Sequence, residues 1–259
     1  MTVRIVQISD CHLLADADAR LKGVATRKTL VDVLRWLGEE FGDCERLIFT
    51  GDLAHDERLE TYRWLRDVLG DWLPRCRIIP GNHDDRAAIR EVFPEAVSGD
   101  AGLLTFCESV GGWRLIGLDS QVEGEPHGRL GSAQLDWLAE QLADERDSPA
   151  LLFVHHPPVP VGSAWLDRIG LEDGAELISV VSAAPQVRAV CVGHVHQAFE
   201  LRTLSAPVLA APATCWQYRH ATPVPAYDPV PPGCRVLELD GDRLRTRVIR
   251  LAELRHPPS

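Results

Sequence analysis

No stretch of this 259-residue sequence approaches eighteen consecutive apolar residues, so no transmembrane helix is expected. The opening segment, Thr2-Val3-Arg4-Ile5-Val6-Gln7-Ile8-Ser9, is too short in apolar length for a secretory signal. A cytoplasmic location and no membrane partner are therefore expected. No Cys-x-x-Cys pair occurs among the seven cysteines, and several of them sit in apolar runs, as Cys191 does. They read as reduced core thiols. Positive charge is scarce, with 27 Lys and Arg against 38 Asp and Glu and a net charge of −11. Such a surface repels a polyanionic backbone, which argues against a nucleic-acid polymer as partner. A glycine-rich phosphate loop and a Gly-x-Ser-x-Gly elbow are both missing, against nucleotide-kinase and serine-hydrolase chemistry. Linkers, repeats and low-complexity blocks are missing too, so residues 1–259 read as a single domain. Residues 1–200 would form its core, and 201–259 a C-terminal set of strands and a cap.

What is present is an alternation of short apolar runs and helical patterns. Residues 3–8, 47–49, 77–79, 113–118, 151–154 and 187–192 read as strands. Leu30, Val33, Leu34, Leu37 and Phe41 keep helical spacing up to a stop at Gly42. Leu59, Tyr62, Leu65 and Leu69 mark a second helix. Leu135, Leu138 and Leu142 mark a third, with Ser132 as its expected cap. Leu177, Ile178 and Val181 mark a fourth. The last sixty residues are rich in proline, and 236–249 with Asp240-Gly241 at its centre reads as a hairpin. The expectation is an α/β layered domain with antiparallel strands added by the tail. Trp36, Trp64 and Trp137 are expected in the core, and His127 and His220 in loops.

Polar, metal-capable residues fall just past the ends of the strands. Asp10 and His12 follow the first, Gly51-Asp52 the second, and Gly81-Asn82-His83-Asp84 the third. His155-His156 and Gly193-His194-Val195-His196 follow two later ones. The carboxyl ends of strands in such sheets converge on one crevice. Each segment alone is explicable as a turn. All five together, in this order, point to a metal site. Imidazole and carboxylate suit zinc, manganese or iron, and none of these motifs centres on a thiolate. Cys11, between Asp10 and His12, is expected to point away by alternation. Seven donors exceed one four-coordinate site and suit two ions about 3.5–4 Å apart that share a carboxylate. Glycines 51, 81 and 193 would let backbone crowd the cluster.

This ordered set resembles the calcineurin-like metallophosphoesterases. Asp119-Ser120-Gln121, Pro126-His127-Gly128, the segment 162–167 and Thr214-Cys215-Trp216-Gln217 extend the likeness to the bacterial class III 3′,5′-cyclic-AMP phosphodiesterases. The resemblance implies a four-layer αββα sandwich. It implies two divalent or trivalent metal ions, iron and manganese ahead of zinc. One would be held by Asp10, His12, Asp52 and His196, the other by Asp52, Asn82, His155 and His194. His83 would be the catalytic side chain, lying with Asn82 and His12 beside the substrate phosphate. The implied reaction is hydrolysis of 3′,5′-cyclic AMP to 5′-AMP by a metal-bridging hydroxide. Protein-phosphatase relatives carry Gly-Asp-x-x-Asp-Arg-Gly, whereas here His55 stands at the second Asp and no arginine follows. That departure argues against a phosphoprotein substrate and leaves open what orients His83, with Asp56 one candidate. A glycerophosphodiester or other small phosphodiester is the alternative substrate, and a metal-binding scaffold without activity the non-enzyme alternative. A binuclear amidohydrolase barrel fits less well, because its paired histidines would follow the first strand. The tail could cap the pocket or build a homodimer interface.

Overall fold

The apolar runs of the sequence become two mixed β-sheets that pack face to face, as described by a computed structural model over residues 2–99, 102–202 and 204–259. The first sheet contains β1 (Val3–Ile8), β2 (Arg46–Thr50) and β3 (Cys76–Ile79), which run parallel. Two strands from the tail, β12 (Gly233–Asp240) and β13 (Arg243–Arg250), extend it antiparallel in the order β13-β12-β1-β2-β3. The second sheet contains β4 (Phe106–Val110), β5 (Trp113–Leu118), β6 (Ala150–Val154), β7 (Val187–Val192), β8 (Phe199–Leu201) and β9 (Val208–Ala210). Its order is β4-β5-β6-β7-β9-β8, with β5, β6, β7 and β9 parallel. A short ribbon pairs β10 (Gln217–Tyr218) with β11 (Tyr227–Asp228).

Alternation along each strand builds four layers. In the first sheet Ile5 and Ile48 face the second sheet, while Val6, Ile8, Leu47 and Phe49 face outward. Helices α1 (Thr26–Phe41), α2 (Leu59–Leu69) and α3 (Arg86–Val92) cover that outer face. In the second sheet Leu151, Phe153, Ala189 and Cys191 face inward, and Leu152, Val154, Val190 and Val192 face α4 (Ser132–Asp144) and α5 (Gly174–Ser182). The expected αββα sandwich is thus realised. The period-two pattern places each apolar side chain on a buried face because both faces of both sheets are covered.

Polar side chains also join the sheets, through hydrogen bonds that their buried donors make. Gln7 of β1 donates to Thr50 Oγ1 at 3.0 Å and to the Val192 carbonyl at 3.0 Å. Arg235 of β12, fully buried, donates to the Ala210 carbonyl, to Glu200 at 2.9 Å and to Thr246 at 3.0 Å. A buried charge without such partners would be costly.

Some expectations need correction. Ser132 is the first residue of α4 rather than its cap; Gly131 occupies that position with no side-chain cap. The Leu130 and Gly131 amides donate instead to the Asp173 carboxylate. Trp36, Trp64 and Trp137 are half-buried at the rims of the helical layers rather than in the core. Arg27 covers the Trp64 ring at 4.3 Å. No helix among the described residues is long and apolar enough to cross a membrane.

Candidate metal centre

The carboxyl ends of β1, β2, β3, β6 and β7 meet at one edge of the sandwich, and their loops are tied to one another. The Asp10 amide donates to Gly51 O at 3.1 Å, and the His12 amide to Asp52 O at 2.9 Å. The Gly193 amide donates to His155 O at 3.0 Å, and the His194 amide to Asp10 Oδ1 at 3.0 Å. Asp84 clamps two of the loops. Its buried carboxylate accepts from the amides of Gly81, Leu53 and Ala54 and from Tyr62 Oη, at 2.9 to 3.1 Å. Gly81 lies so close to Asp52 that a Cβ there would collide with its carboxylate.

These ties bring all seven predicted donors together. Asp10, His12, Asp52 and His196 are buried and each offers an atom within 4.8 Å of the others. His12 Nε2 lies 3.3 Å from Asp52 Oδ2 and 3.0 Å from His196 Nε2, and His196 Nε2 lies 3.5 Å from Asp10 Oδ1. On the other side of Asp52, His155 Nε2 is 3.6 Å from the same Oδ2 and 3.2 Å from Asn82 Oδ1. His194 Nδ1 is 3.1 Å from that amide oxygen. Asp52 Oδ2 therefore belongs to both groups.

The donor chemistry fits a pair of cations. His196 Nδ1 faces the Trp216 carbonyl at 3.1 Å and His155 Nδ1 the Thr50 carbonyl at 2.7 Å. A carbonyl only accepts, so each Nδ1 carries the proton and each Nε2 lone pair is turned into the cluster. Burial holds His12 well below the usual imidazole range and lowers His194 and His196 to about 3, so these rings are neutral. Burial opposes the charge on Asp52, but His155, His12 and His83 outweigh it and keep its carboxyl below the ordinary value. Burial pushes Asp10 up to about 7. Cys215 Sγ approaches His196 Nδ1 at 3.6 Å, yet burial raises its thiol well above the usual range, so it offers no thiolate.

The backbone is strained here. Among the described residues eight non-glycines have positive φ, and Asp10, His12, Asp52, His194 and His196 account for five of them, at 46° to 67°. That conformation is uncommon for side chains with a Cβ and tends to mark functional sites.

His83 stands at the edge of the cluster. Its amide donates to Asp52 Oδ1 at 2.9 Å, and its ring lies against His55 at 4.6 Å and His12 at 5.0 Å between centroids. Asp56 does not orient it. That carboxylate accepts from Ala15 N, Arg58 N and Thr61 Oγ1. Its neighbour His55 is the residue in place, with Nδ1 3.2 Å from His12 Nδ1. Sequence reasoning gave no role to Asp84 or Trp216, although both lie within motifs it quoted. Trp216 is buried, stacks on His12 at 5.1 Å and is covered by Lys22 at 5.1 Å. His156 sits behind His155 with Nδ1 2.8 Å from Ser120 Oγ, while His127 pairs with Glu172 at 3.3 Å and His220 is exposed in the tail.

Comparison with known proteins points the same way. The family model described as calcineurin-like phosphoesterase matches residues 3–198. A 3′,5′-cyclic adenosine monophosphate phosphodiesterase of Escherichia coli is 36% identical over 257 residues, covering 99% of this chain and 92% of that one. A 3′,5′-cyclic-nucleotide phosphodiesterase of Nostoc sp. is 34% identical over 244 residues, covering 93% and 90%. Among solved structures, a dimetal phosphatase from Danio rerio superposes with a TM-score of 0.69 at 17% identity, covering 99% of each chain.

Proposed function

The chain belongs to the calcineurin-like phosphoesterase family, and on that premise we propose that it hydrolyses 3′,5′-cyclic AMP to 5′-AMP as a two-metal phosphodiesterase. One metal would be held by Asp10, His12, Asp52 and His196, the other by Asp52, Asn82, His155 and His194. The single observation that carries this reading is Asp52 Oδ2, 3.3 Å from His12 Nε2 on one side and 3.6 Å from His155 Nε2 on the other. One carboxylate oxygen placed between two sets of imidazole nitrogens suits a bridging ligand. Iron and manganese are the metals that the family resemblance favours, and zinc is compatible, since imidazole, carboxylate and amide oxygen suit all three. The partner is a small anion rather than a polymer, in keeping with the net charge of −11. The chain acts as one unit, its tail supplying Trp216 to the site.

When bound, such a metal pair neutralises the phosphate oxygens and makes an attacking water acidic enough to ionise near neutrality. The chain's own residues do the rest. Nε2 of His12 serves as ligand, so its Nδ1 carries the proton and donates to His55, which fixes the ring plane. Trp216 packs on that ring and prevents it from turning. Asn82 and His83 border the phosphate on the open side, and His12 on the buried side. A water oxygen forms a bond to phosphorus while the bond from phosphorus to the ribose 3′ oxygen breaks. His83 delivers a proton to that leaving oxygen. Positioning and charge neutralisation supply most of the acceleration.

The test is a substrate panel on metal-stripped protein before and after adding manganese. Manganese restores release of 5′-AMP from cyclic AMP. Protein that binds two metal ions yet cleaves no phosphodiester would refute the proposal.

A further inference from the structure

Beside the cluster, on the side of Asn82 and His83, opens a cavity of about 540 Å³. That lies within the range of roughly 300–1,000 Å³ that holds small organic ligands. Its far wall is acidic, with Glu57, Glu123 and Glu125 exposed, and Arg86 is the one permanently cationic side chain in its lining. Arg86 is rigidly held. Nε and Nη2 donate to the two oxygens of Asp119 at 2.7 and 2.8 Å, and Nη2 donates also to Gln121 O at 2.6 Å. Asp119 is fully buried and is itself fixed by the amides of Leu104 and Gln121. A guanidinium has five N–H donors. Three are spent on these partners, and among the described residues Nη1 has none.

We propose that this cavity takes the uncharged, hydroxyl-bearing nucleoside part of the substrate and that Arg86 is the residue that selects it. The inference rests on the phosphodiesterase reading and adds the subsite that reads the leaving side of the ester. Two N–H groups on a clamped fork are ready-made donors for ribose oxygens or ring nitrogens, and the arginine side chain loses little further freedom when they engage. The glutamates accept from hydroxyl or amino groups and repel a second anionic group. Phosphate recognition belongs to the cluster behind Asn82, so this wall needs no positive charge of its own.

The test compares cyclic AMP with bis(4-nitrophenyl) phosphate, which undergoes the same cleavage without a nucleoside. In Arg86→Lys the charge beside Asp119 is kept and the free fork is lost. KM for cyclic AMP rises about tenfold or more, the usual effect of losing hydrogen bonds from a charged donor. Its kcat, the bound metal content and KM for bis(4-nitrophenyl) phosphate stay at wild-type values. Equal losses on both substrates, or no loss on either, overturn the assignment and leave Arg86 a structural partner of Asp119. If Arg86→Lys does not fold, Glu123→Gln/Glu125→Gln on the exposed wall examines the same cavity. Inhibition by the doubly charged product 5′-AMP then tightens several-fold, and unchanged inhibition overturns the proposal. Wild-type protein that cleaves bis(4-nitrophenyl) phosphate but not cyclic AMP refutes the nucleoside reading itself, and the subsite with it. Normal wild-type turnover of both confines any failure to the subsite.

Discussion

The two proposed half-sites share Asp52 but differ in what surrounds it. The half with Asp10, His12 and His196 has two carboxylates and is buried on every side, with Trp216 stacked behind it. The half with Asn82, His155 and His194 has an uncharged amide in place of the second carboxylate, and its Asn82 is only half-buried, bordering the cavity. The expected consequence is that the first would retain a cation more tightly than the second. Greater negative charge and stiffer support raise affinity, while an open, weakly charged position leaves room for a substrate oxygen.

This contrast can be broken at its shared point. Asp52→Ala removes a ligand from both halves. Outer-shell changes alone cost about 10–100-fold in metal affinity, so loss of the bridge should exceed that on both ions. Metal analysis after dialysis should find neither retained; two tightly held ions would end the bridging role. His83→Ala tests a side chain that borders the cluster without being one of its proposed ligands. Both ions stay, and turnover drops by roughly 10²–10⁴, the usual contribution of a positioned proton donor. A normal rate would remove His83 from the reaction.

Two smaller effects sharpen the comparison. Asn82→Ala removes a ligand from one half only, so it should weaken one ion by at least the roughly 10–100-fold of an outer-shell change and leave the other. Titration with manganese then shows one tight and one weak event; equal weakening of both would erase the asymmetry. Proton linkage gives the other test. Burial raises Asp10 to about 7, so in the metal-free protein it holds a proton at and below neutrality. Metal binding must release that proton. Affinity for the buried half should rise up to about tenfold per pH unit below pH 7 and level off above it. Calorimetry in buffers of different ionisation enthalpy measures the release. Affinity that does not change between pH 5.5 and 7 would contradict the raised value.

Much of this was legible without coordinates, for a physical reason. Buried strands read as apolar runs, and parallel strands end on one side, so donors placed after those runs had to converge. Leu30, Val33, Leu37 and Phe41 showed the buried face of α1 because helical spacing and burial coincide there. The position of Asp84 between the loops was not legible. Its role depends on how closely Leu53, Ala54 and Gly81 approach, and no spacing encodes that. Asp56 was misleading because a carboxylate next to a site is as readily consumed by local amides and a threonine hydroxyl. The three tryptophans followed helical spacing yet lie at the rim, where a large ring covers the edge of a helix without entering it. Trp216 comes from the tail, more than two hundred residues from the His12 ring on which it stacks, and only the folded chain joins them.

The left-handed backbone beneath five of the proposed ligands bears on how such a centre is lost. Glycine enters that conformation freely, whereas any residue with a Cβ is disfavoured there. Asp52→Gly would therefore remove the donor and relieve the turn together, while Asp52→Ala removes the donor and keeps the strain. Relaxed, inert descendants of this chain lie one substitution away at each of the five positions.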